Sequence, residues 1–545
     1  LLPELECMLE LEANKKKKLL QIGTALSVEK NLDALLELIV VEAMNLTNAD
    51  GGTIYLISDD ERFLAFKILQ NISLNYKMGG TSGTPVSFPP LNMYKPNGEK
   101  NDQMVAVHVA FTGHTVNIAD VYEVDGFDFK GAKRFDQMNN YRSKSMLVTP
   151  LRNYEYEIIG VLQLINAMEV DGSIVTFPTY NQELIESLAS QAAVVIDNAT
   201  LIKDLDDLQM GIIQAIASAI DEKSPYTGDH IRRVTEITMM LAHGICKSND
   251  ERWMNFTMDK NEEKTLKIAA WMHDVGKIIT PEHIIDKATK LEKIFDRINL
   301  VIARFEIVKR DRELRFLIER TQLNPNEISY RKLEEEYKKD IAEMNDDVDF
   351  LRCVNIGAEY INDAQLERIE QIAQKYKITI NGQEDNILTE NEVKNLSIRK
   401  GTLTNEERAI VENHVMSTIK MLVKLPWPKK LKNVCEYAGE HHEKIDGSGY
   451  PHKLAAEELS IQSRILAVAD VFEALLAKDR PYKRGKTISE VVEILISMTK
   501  EKKLDGDILD FFIKSGLMVD YAKKELLSSQ LDIFIYDGKE YDCRI

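Results

Sequence analysis

Five histidines and two aspartates recur between positions 230 and 470 in contexts too patterned for chance packing, and they constrain the fold more than any other feature. His230 follows Ser224-Pro225-Tyr226-Thr227-Gly228-Asp229, and His273-Asp274 opens the run His273-Asp274-Val275-Gly276-Lys277. His414 stands in Glu412-Asn413-His414-Val415, His441 and His442 are adjacent, and Asp470 lies in Ala469-Asp470-Val471-Phe472-Glu473. A lone histidine on an amphipathic helix is ordinarily just packed or hydrogen-bonded; seven such residues together ask for one shared site. Imidazole with carboxylate suits Fe, Mn, Zn or Ni better than Mg or Ca. A carboxylate can bridge two metals through its two oxygens and an imidazole cannot, so Asp274 is expected to be the bridge, offsetting the repulsion of two nearby cations. Adjacent residues on a helix point about 100° apart, so His441 and His442 are expected to serve two different metals.

The stretch His441-His442-Glu443-Lys444-Ile445-Asp446-Gly447-Ser448-Gly449-Tyr450-Pro451 leaves the paired histidines through a glycine-broken turn. Gly447 and Gly449 permit backbone conformations other residues resist, and Pro451 fixes the exit. The segment reads as a shaped loop beside a pocket, where Tyr450 either stacks on a bound ligand or packs. Glu443 is expected to orient a ligating histidine rather than bind metal. Lys277, a turn after His273, can point into the same pocket.

At 545 residues the chain has room for two or three domains, and 44% hydrophobic content supplies ample core. A net charge of −19 argues against nonspecific binding to DNA or RNA, but not against a small anionic ligand in a local basic or metal-bearing pocket. Five scattered cysteines without a CxxC fit a reducing, cytoplasmic setting. No apolar run is long enough to span a bilayer and no signal peptide is visible. The chain begins Leu1-Leu2-Pro3 without Met, which leaves an upstream domain or anchor open.

In chain order, residues 1–24 form a charged helix whose Lys15 to Lys18 run is a solvated face or a membrane-surface contact. Residues 25–197 alternate helical and β patterns. Leu32, Leu35, Leu36, Ile39 and Val40 have helical spacing, and strands are expected over 51–57, 146–151 and 158–166. This is an α+β sensor-like unit, an antiparallel sheet with flanking helices. Thr112-Gly113-His114-Thr115-Val116-Asn117-Ile118-Ala119-Asp120 and Val161-Leu162-Gln163-Leu164-Ile165-Asn166 resemble a GAF domain. GAF domains that bind cyclic nucleotides carry Lys and Asp where this chain has Ala167 and Asn181, so a GAF fold used for dimerisation or for sensing another, unidentified small molecule is expected. Residues 184–218 read as one connecting helix with Leu201, Leu205, Leu208 and Ile212 at heptad spacing. A parallel coiled-coil homodimer and a helix packed on its own domain both fit that stripe.

From about residue 205 to 545 the pattern is helical, ending in a hairpin over 531–545 signalled by Asp537-Gly538. His273-Asp274-x-Gly276-Lys277, the His441 to Pro451 run, Arg464 to Asp470 and Asp479-Arg480-Pro481-Tyr482 together resemble the HD-GYP subfamily of HD phosphohydrolases. The resemblance implies an all-α domain with two or three transition metals, Fe foremost and Mn as an alternative. It implies hydrolysis of the bacterial second messenger cyclic di-GMP to linear pGpG and onward to GMP, with cyclic GMP-AMP as substrate in some relatives. Carried over by position, the metal ligands are His230, His273, Asp274, His414, His441, His442 and Asp470. Lys277, Arg480 and Lys483 are the implied phosphate contacts.

Two departures stand out. Where relatives carry a Glu associated with a third metal, this chain has Asp221, one methylene shorter. After Lys287-Ala288-Thr289-Lys290-Leu291 about 110 extra residues, roughly 292–400, intervene before Gly401-Thr402-Leu403-Thr404 resumes the pattern. A lid, a dimer contact and inert decoration are all open for that insert. Overall the residues favour a GAF-regulated cyclic dinucleotide phosphodiesterase over a non-catalytic dinucleotide receptor.

Overall fold

The computed structural model describes residues 17, 20–29, 31–223, 229–324, 328–357, 360–477 and 485–544. Most of the helix expected over residues 1–24 lies outside that set, as do Arg480 and Lys483. The chain divides into two compact units, Leu1–Gln209 and Met210–Ile545.

The first unit is built on an antiparallel sheet. Strands β1 (Ala49–Ile57), β2 (Phe63–Asn71), β3 (Tyr76–Gly79), β4 (Leu91–Asn92), β5 (Val116–Ile118), β6 (Met146–Arg152), β7 (Ile158–Met168) and β8 (Ile174–Val175) run in the order β3-β2-β1-β7-β6-β5, with β4 on β2 and β8 on β7. The long apolar runs of β1 and β7 pair at the centre, Ile54 opposite Leu162 and Thr53 opposite Gln163. Helix α1 (Leu32–Thr47), capped by the Asn31 side chain, buries Leu35, Leu36, Ile39 and Val40. That face joins Ile185, Leu188 and Ala192 in one core, while α2 (Val105–Thr112) builds another with Tyr55, Val148 and Val161.

The connecting helix, α3, is continuous from Thr179 to Asp221. Its Leu201, Leu205, Leu208 and Ile212 are 45%, 64%, 60% and 52% exposed, so among the described residues nothing covers the heptad stripe. Its last turns bury Ile213, Ala217 and Ile220 in the core of the second unit.

That second core is helical. It gathers α4 (His230–Cys246), α5 (Lys260–Met272), α6 (Asn405–Leu422), α7 (Val434–Gly439), α8 (Ile461–Leu476) and α9 (Ile488–Lys500), with Phe472 and Phe512 among its largest buried side chains. The C-terminal strands Ile533–Tyr536 and Lys539–Asp542 form a hairpin whose turn, Asp537-Gly538, has positive φ at both residues, as a two-residue type I′ turn requires. Phe534 and Tyr541 of the hairpin complete the core.

The insert folds on a core of its own. Helices Ile298–Thr321, Ile328–Ile356 and Asp363–Lys375 pack Val301, Phe305, Leu351, Ile369 and Ile372 with Leu396. A two-stranded hairpin, Lys377–Ile380 with Gln383–Asn386, lies within the insert. Both ends of the insert are pinned together. The buried Lys287 ammonium binds Glu407 at 2.7 Å and Asn395 at 2.9 Å. The fully buried Lys290 donates to the carbonyls of Leu396 (3.1 Å) and Ile398 (2.6 Å). A satellite core predicts local unfolding. Phe305→Ala should cost the insert about 3–5 kcal/mol in a urea titration while leaving the metal content of the histidine cluster unchanged.

Candidate metal centre

The sequence segments converge because helix ends do. α5 carries Thr265 to Met272 into the core and stops as His273-Asp274 turns into the short 3-10 helix Val275–Ile279. A Cβ on Gly276 would lie 2.0 Å from the His414 carbonyl oxygen and 2.6 Å from the Thr418 nitrogen. Only glycine lets this turn lie against the helix that bears His414. The Gly276 amide donates to Thr418 Oγ1 at 2.9 Å, and Thr418 Oγ1 donates to the His273 carbonyl at 3.0 Å.

His230, His273, Asp274, His414, His441 and Asp470 are buried and His442 is half-buried. All seven positions singled out in the sequence come together. Three groups place their ligand atoms within 4.8 Å of one another: His230, His273 and Asp470; His273, Asp274 and His441; and His414, His441 and His442. Asp274 faces both ends. Its Oδ2 lies 3.3 Å from His273 Nε2 and 3.6 Å from His230 Nε2, and its Oδ1 lies 3.3 Å from His414 Nε2. Asp470 Oδ1 is 3.4 Å from His230 Nε2, and its Oδ2 is 3.9 Å from His442 Nδ1.

The tautomers suit a metal. Nδ1 of His273, His414 and His441 each meets the carbonyl three residues upstream, Ala270 at 2.7 Å, Val411 at 2.5 Å and Ala438 at 2.7 Å. A carbonyl only accepts, so each Nδ1 donates and each Nε2 keeps its lone pair. Among the described residues these three Nε2 atoms and Asp274 Oδ1 are buried without a hydrogen-bond partner, an arrangement that is costly unless a cation fills it. The donor set therefore fits a pair of transition metals.

Charge is balanced inside the cluster. Burial pulls the His230 pKa down, but Asp274, Asp470 and Glu473 outweigh it and hold it well above the ordinary value. Burial would raise Asp274, yet Lys277, His273 and His230 hold it well below the usual carboxylate range. Burial and the neighbouring histidines push His441 far down, and burial takes His442 to about 4. His441 and His442 are thus offered as neutral imidazoles and Asp274 as an ionised carboxylate, the forms that bind metal, whereas the carboxylates around His230 and His273 favour their protonated forms.

One premise, the helix assumed at His441 and His442, and one expectation, the role of Glu443, are corrected. The divergence of His441 and His442 assumed a helix, but α7 ends at Gly439 and both residues sit in the turn beyond it. Their rings are 4.1 Å apart and both reach one position with His414, while His441 also reaches toward His273 and Asp274. Glu443 does not orient a histidine. Its carboxylate accepts the amides of His452 (2.6 Å), Lys453 (3.0 Å) and Leu454 (3.0 Å), closing the glycine loop on itself. Within that loop Gly447 has φ +75°, and a Cβ on Gly449 would lie 2.5 Å from the Glu443 Cα.

Around the cluster, Lys277 Nζ lies 2.5 Å from Asp274 Oδ2. The Tyr450 ring is 4.9 Å from that of His442. Asp221, pushed to about 6 by burial, accepts the Ile231 amide at 3.2 Å; among the described residues it joins none of the three groups. The sequence reading missed one residue. Glu473, buried one turn after Asp470 on the same face of α8, receives His230 Nδ1 on one oxygen and Arg233 Nε at 2.6 Å on the other. The i, i+3 spacing from Asp470 was the available signal.

Models of two domain families match the chain. A GAF domain model covers residues 31–196, and HD domain models cover 227–344 and 390–508. The chain thus carries an N-terminal GAF domain followed by an HD region. Among curated proteins it is 42% identical over 83 residues to a 3′3′-cGAMP-specific phosphodiesterase of Vibrio cholerae, covering 15% of this chain and 19% of that protein. It is 38% identical over 138 residues to a cyclic di-GMP phosphodiesterase of Pseudomonas aeruginosa (25% and 32% covered) and 35% identical over 117 residues to one of Thermotoga maritima (22% and 31% covered). The chain thus matches a third or less of the length of these relatives.

Metal bound only by the folded state raises its stability. Chelation should lower the melting temperature of the purified protein, and adding back Fe or Mn should restore it, as read by scanning calorimetry. Glu473→Ala should weaken metal binding about 10- to 100-fold by freeing the His230 ring, measurable by competition with a chromophoric chelator.

Proposed function

We propose that this protein is a metal-dependent phosphodiesterase that opens cyclic di-GMP to linear pGpG and carries it onward to GMP, under the control of its GAF domain. The observation that carries the reading is the convergence in one buried site of three Nε2 atoms and Asp274 Oδ1 that have no hydrogen-bond partner among the described residues. The names of the relatives speak for a cyclic dinucleotide as substrate.

His230, His273, Asp274, His414, His441, His442 and Asp470 would hold two metals, Fe before Mn, with Asp274 offering one oxygen to each side. Asp221 is the candidate ligand for a third. Such a pair supplies Lewis acidity toward phosphate and lowers the pKa of an attacking water. The chain's own groups do the rest. The carbonyls of Ala270, Val411 and Ala438 fix the imidazoles before substrate arrives. Lys277, whose pKa the charges of Asp274 and Asp470 raise against the pull of burial, stays cationic beside the site and binds a phosphate oxygen. Arg480 and Lys483 are proposed for the second phosphate, and Tyr450 for stacking on a base. In the reaction the oxygen of water joins phosphorus, the P–O3′ bond breaks, and the proton ends on the 3′ oxygen.

Control is proposed to arrive through a homodimer joined by the GAF domains and by the exposed stripe of α3, in response to an unidentified small ligand, and in the cytoplasm. Among the described residues no helix is long and apolar enough to cross a membrane. A second substrate is to be tried alongside the first, because one relative is named for 3′3′-cGAMP. Metal-loaded protein, prepared without oxygen, should convert cyclic di-GMP to pGpG or GMP on an ion-exchange column, and paired assays with 3′3′-cGAMP rank the substrates. His273→Ala combined with Asp274→Ala should lower kcat at least about 10³-fold. A wild-type protein that binds either dinucleotide yet leaves it intact would instead make the domain a receptor.

A further inference from the structure

Lys223 stands two residues beyond the last residue of α3, and its ammonium is committed to the turn that follows His273-Asp274. Nζ donates to the carbonyl oxygens of Lys277 (3.3 Å), Ile278 (2.5 Å) and Thr280 (2.8 Å). An ammonium has three N–H donors, and these three contacts use all of them. The acceptors lie at the C-terminal end of the Val275–Ile279 turn, where a cation is favoured, and Lys277 O also accepts the Thr280 amide. That turn bears Lys277, whose own ammonium rests on Asp274 Oδ2 at 2.5 Å. The same helix end touches the other ligand-bearing segment, since Asp221 accepts the amide of Ile231, next to His230. Asp221, Lys223, Asp274 and Lys277 line one cleft, open to solvent.

The His273 and Asp274 positions have independent support. His273 is tied to Ala270, and Gly276 is tied to Thr418. What Lys223 adds is the placement of the residues beyond them, Lys277 to Thr280. We infer that Lys223 is a positioning residue which fixes the aim of Lys277, and that through it the end of α3 sets catalytic rate without altering metal binding. The inference rests on the proposed hydrolase activity for its kinetic consequence but not for its structural one. Motion at the end of α3 would reach Lys277 through a single ammonium gripping three carbonyls. This names the part of the site that responds to the helix.

The test uses the full chain, metal-loaded, carrying Lys223→Met or Lys223→Arg. Hydrogen exchange reads the amides of Lys277 and Thr280, which donate to Asp274 O at 2.9 Å and Lys277 O at 3.0 Å. In Lys223→Met these amides should exchange about 10-fold faster or more, with exchange elsewhere and metal content unchanged. The kcat for cyclic di-GMP should fall about 10- to 100-fold with KM within threefold, and Lys223→Arg should restore most of the loss. Gly211→Pro interrupts α3 upstream; it should speed exchange at Lys277 and Thr280 when Lys223 is present and add nothing in Lys223→Met. Unchanged exchange at the turn in Lys223→Met, metal lost with activity, loosening throughout the domain, or Lys223→Arg behaving as Lys223→Met would each overturn the positioning role. Gly211→Pro acting equally in both backgrounds, or in neither, would overturn the link to the helix. A wild-type chain inactive toward both dinucleotides would defeat the functional reading, and the exchange comparison would still decide the role of Lys223.

Discussion

The metal centre depends on one close approach of backbone to backbone. Gly276 lies so near the His414 carbonyl that a single added carbon would stand 2.0 Å from it. The contact brings the end of α5, with His273 and Asp274, against the middle of α6, with His414. Thr418 closes it by accepting from Gly276 and donating to His273. With those two helices fixed, Asp274 Oδ1 must face His414 while Oδ2 faces His230 and His273. The bridging posture of Asp274 follows from how two helices pack, before any ligand is considered.

Once that posture is set, electrostatics decides what else the site tolerates. Five imidazoles in a buried space would repel if protonated, and an isolated buried carboxylate would be strongly disfavoured. The cluster resolves this unevenly. His441 and His442 are driven neutral by burial, whereas His230 is held protonated by three carboxylates around it. A cation entering among Asp274, Asp470 and His230 therefore displaces a proton that those carboxylates hold. Glu473 and Arg233 sit behind His230 and keep its ring aimed while that exchange occurs.

Much of this was legible in the sequence, for specific reasons. The strands of the first unit were readable because β1 and β7 are long apolar runs bounded by polar turns. The seven clustered residues were readable because ordinary packing does not make histidines recur together with aspartates along amphipathic helices, whereas a shared metal does. The failures are equally specific. The orientation of His441 and His442 could not be read because α7 ends two residues before them, and a helix boundary shifts by that much without a sequence signal. Glu443 was misassigned because a carboxylate beside two histidines looks like their support, while its true partners, the amides of residues 452 to 454, carry no side-chain signature. Lys223 was invisible for the same reason, since its three partners are backbone carbonyls.

The insert shows why a long interruption between ligands need not disturb them. It leaves the domain after Lys290 and returns before Gly401, and the two points are neighbours in space. Thr402 Oγ1 donates to the Lys287 carbonyl at 2.9 Å, and the Lys287 ammonium reaches Glu407 of α6. Lengthening a loop whose ends are already held costs only a slowly growing entropy, and a segment with its own core offsets that cost by its own burial. The lysines that do the holding are themselves disfavoured as cations by burial, Lys290 to a pKa of about 8. They are retained in buried surroundings because their carbonyl and carboxylate partners would otherwise be stranded there. Lys287 joins the base of the insert to the first turn of the helix that carries His414, at Glu407.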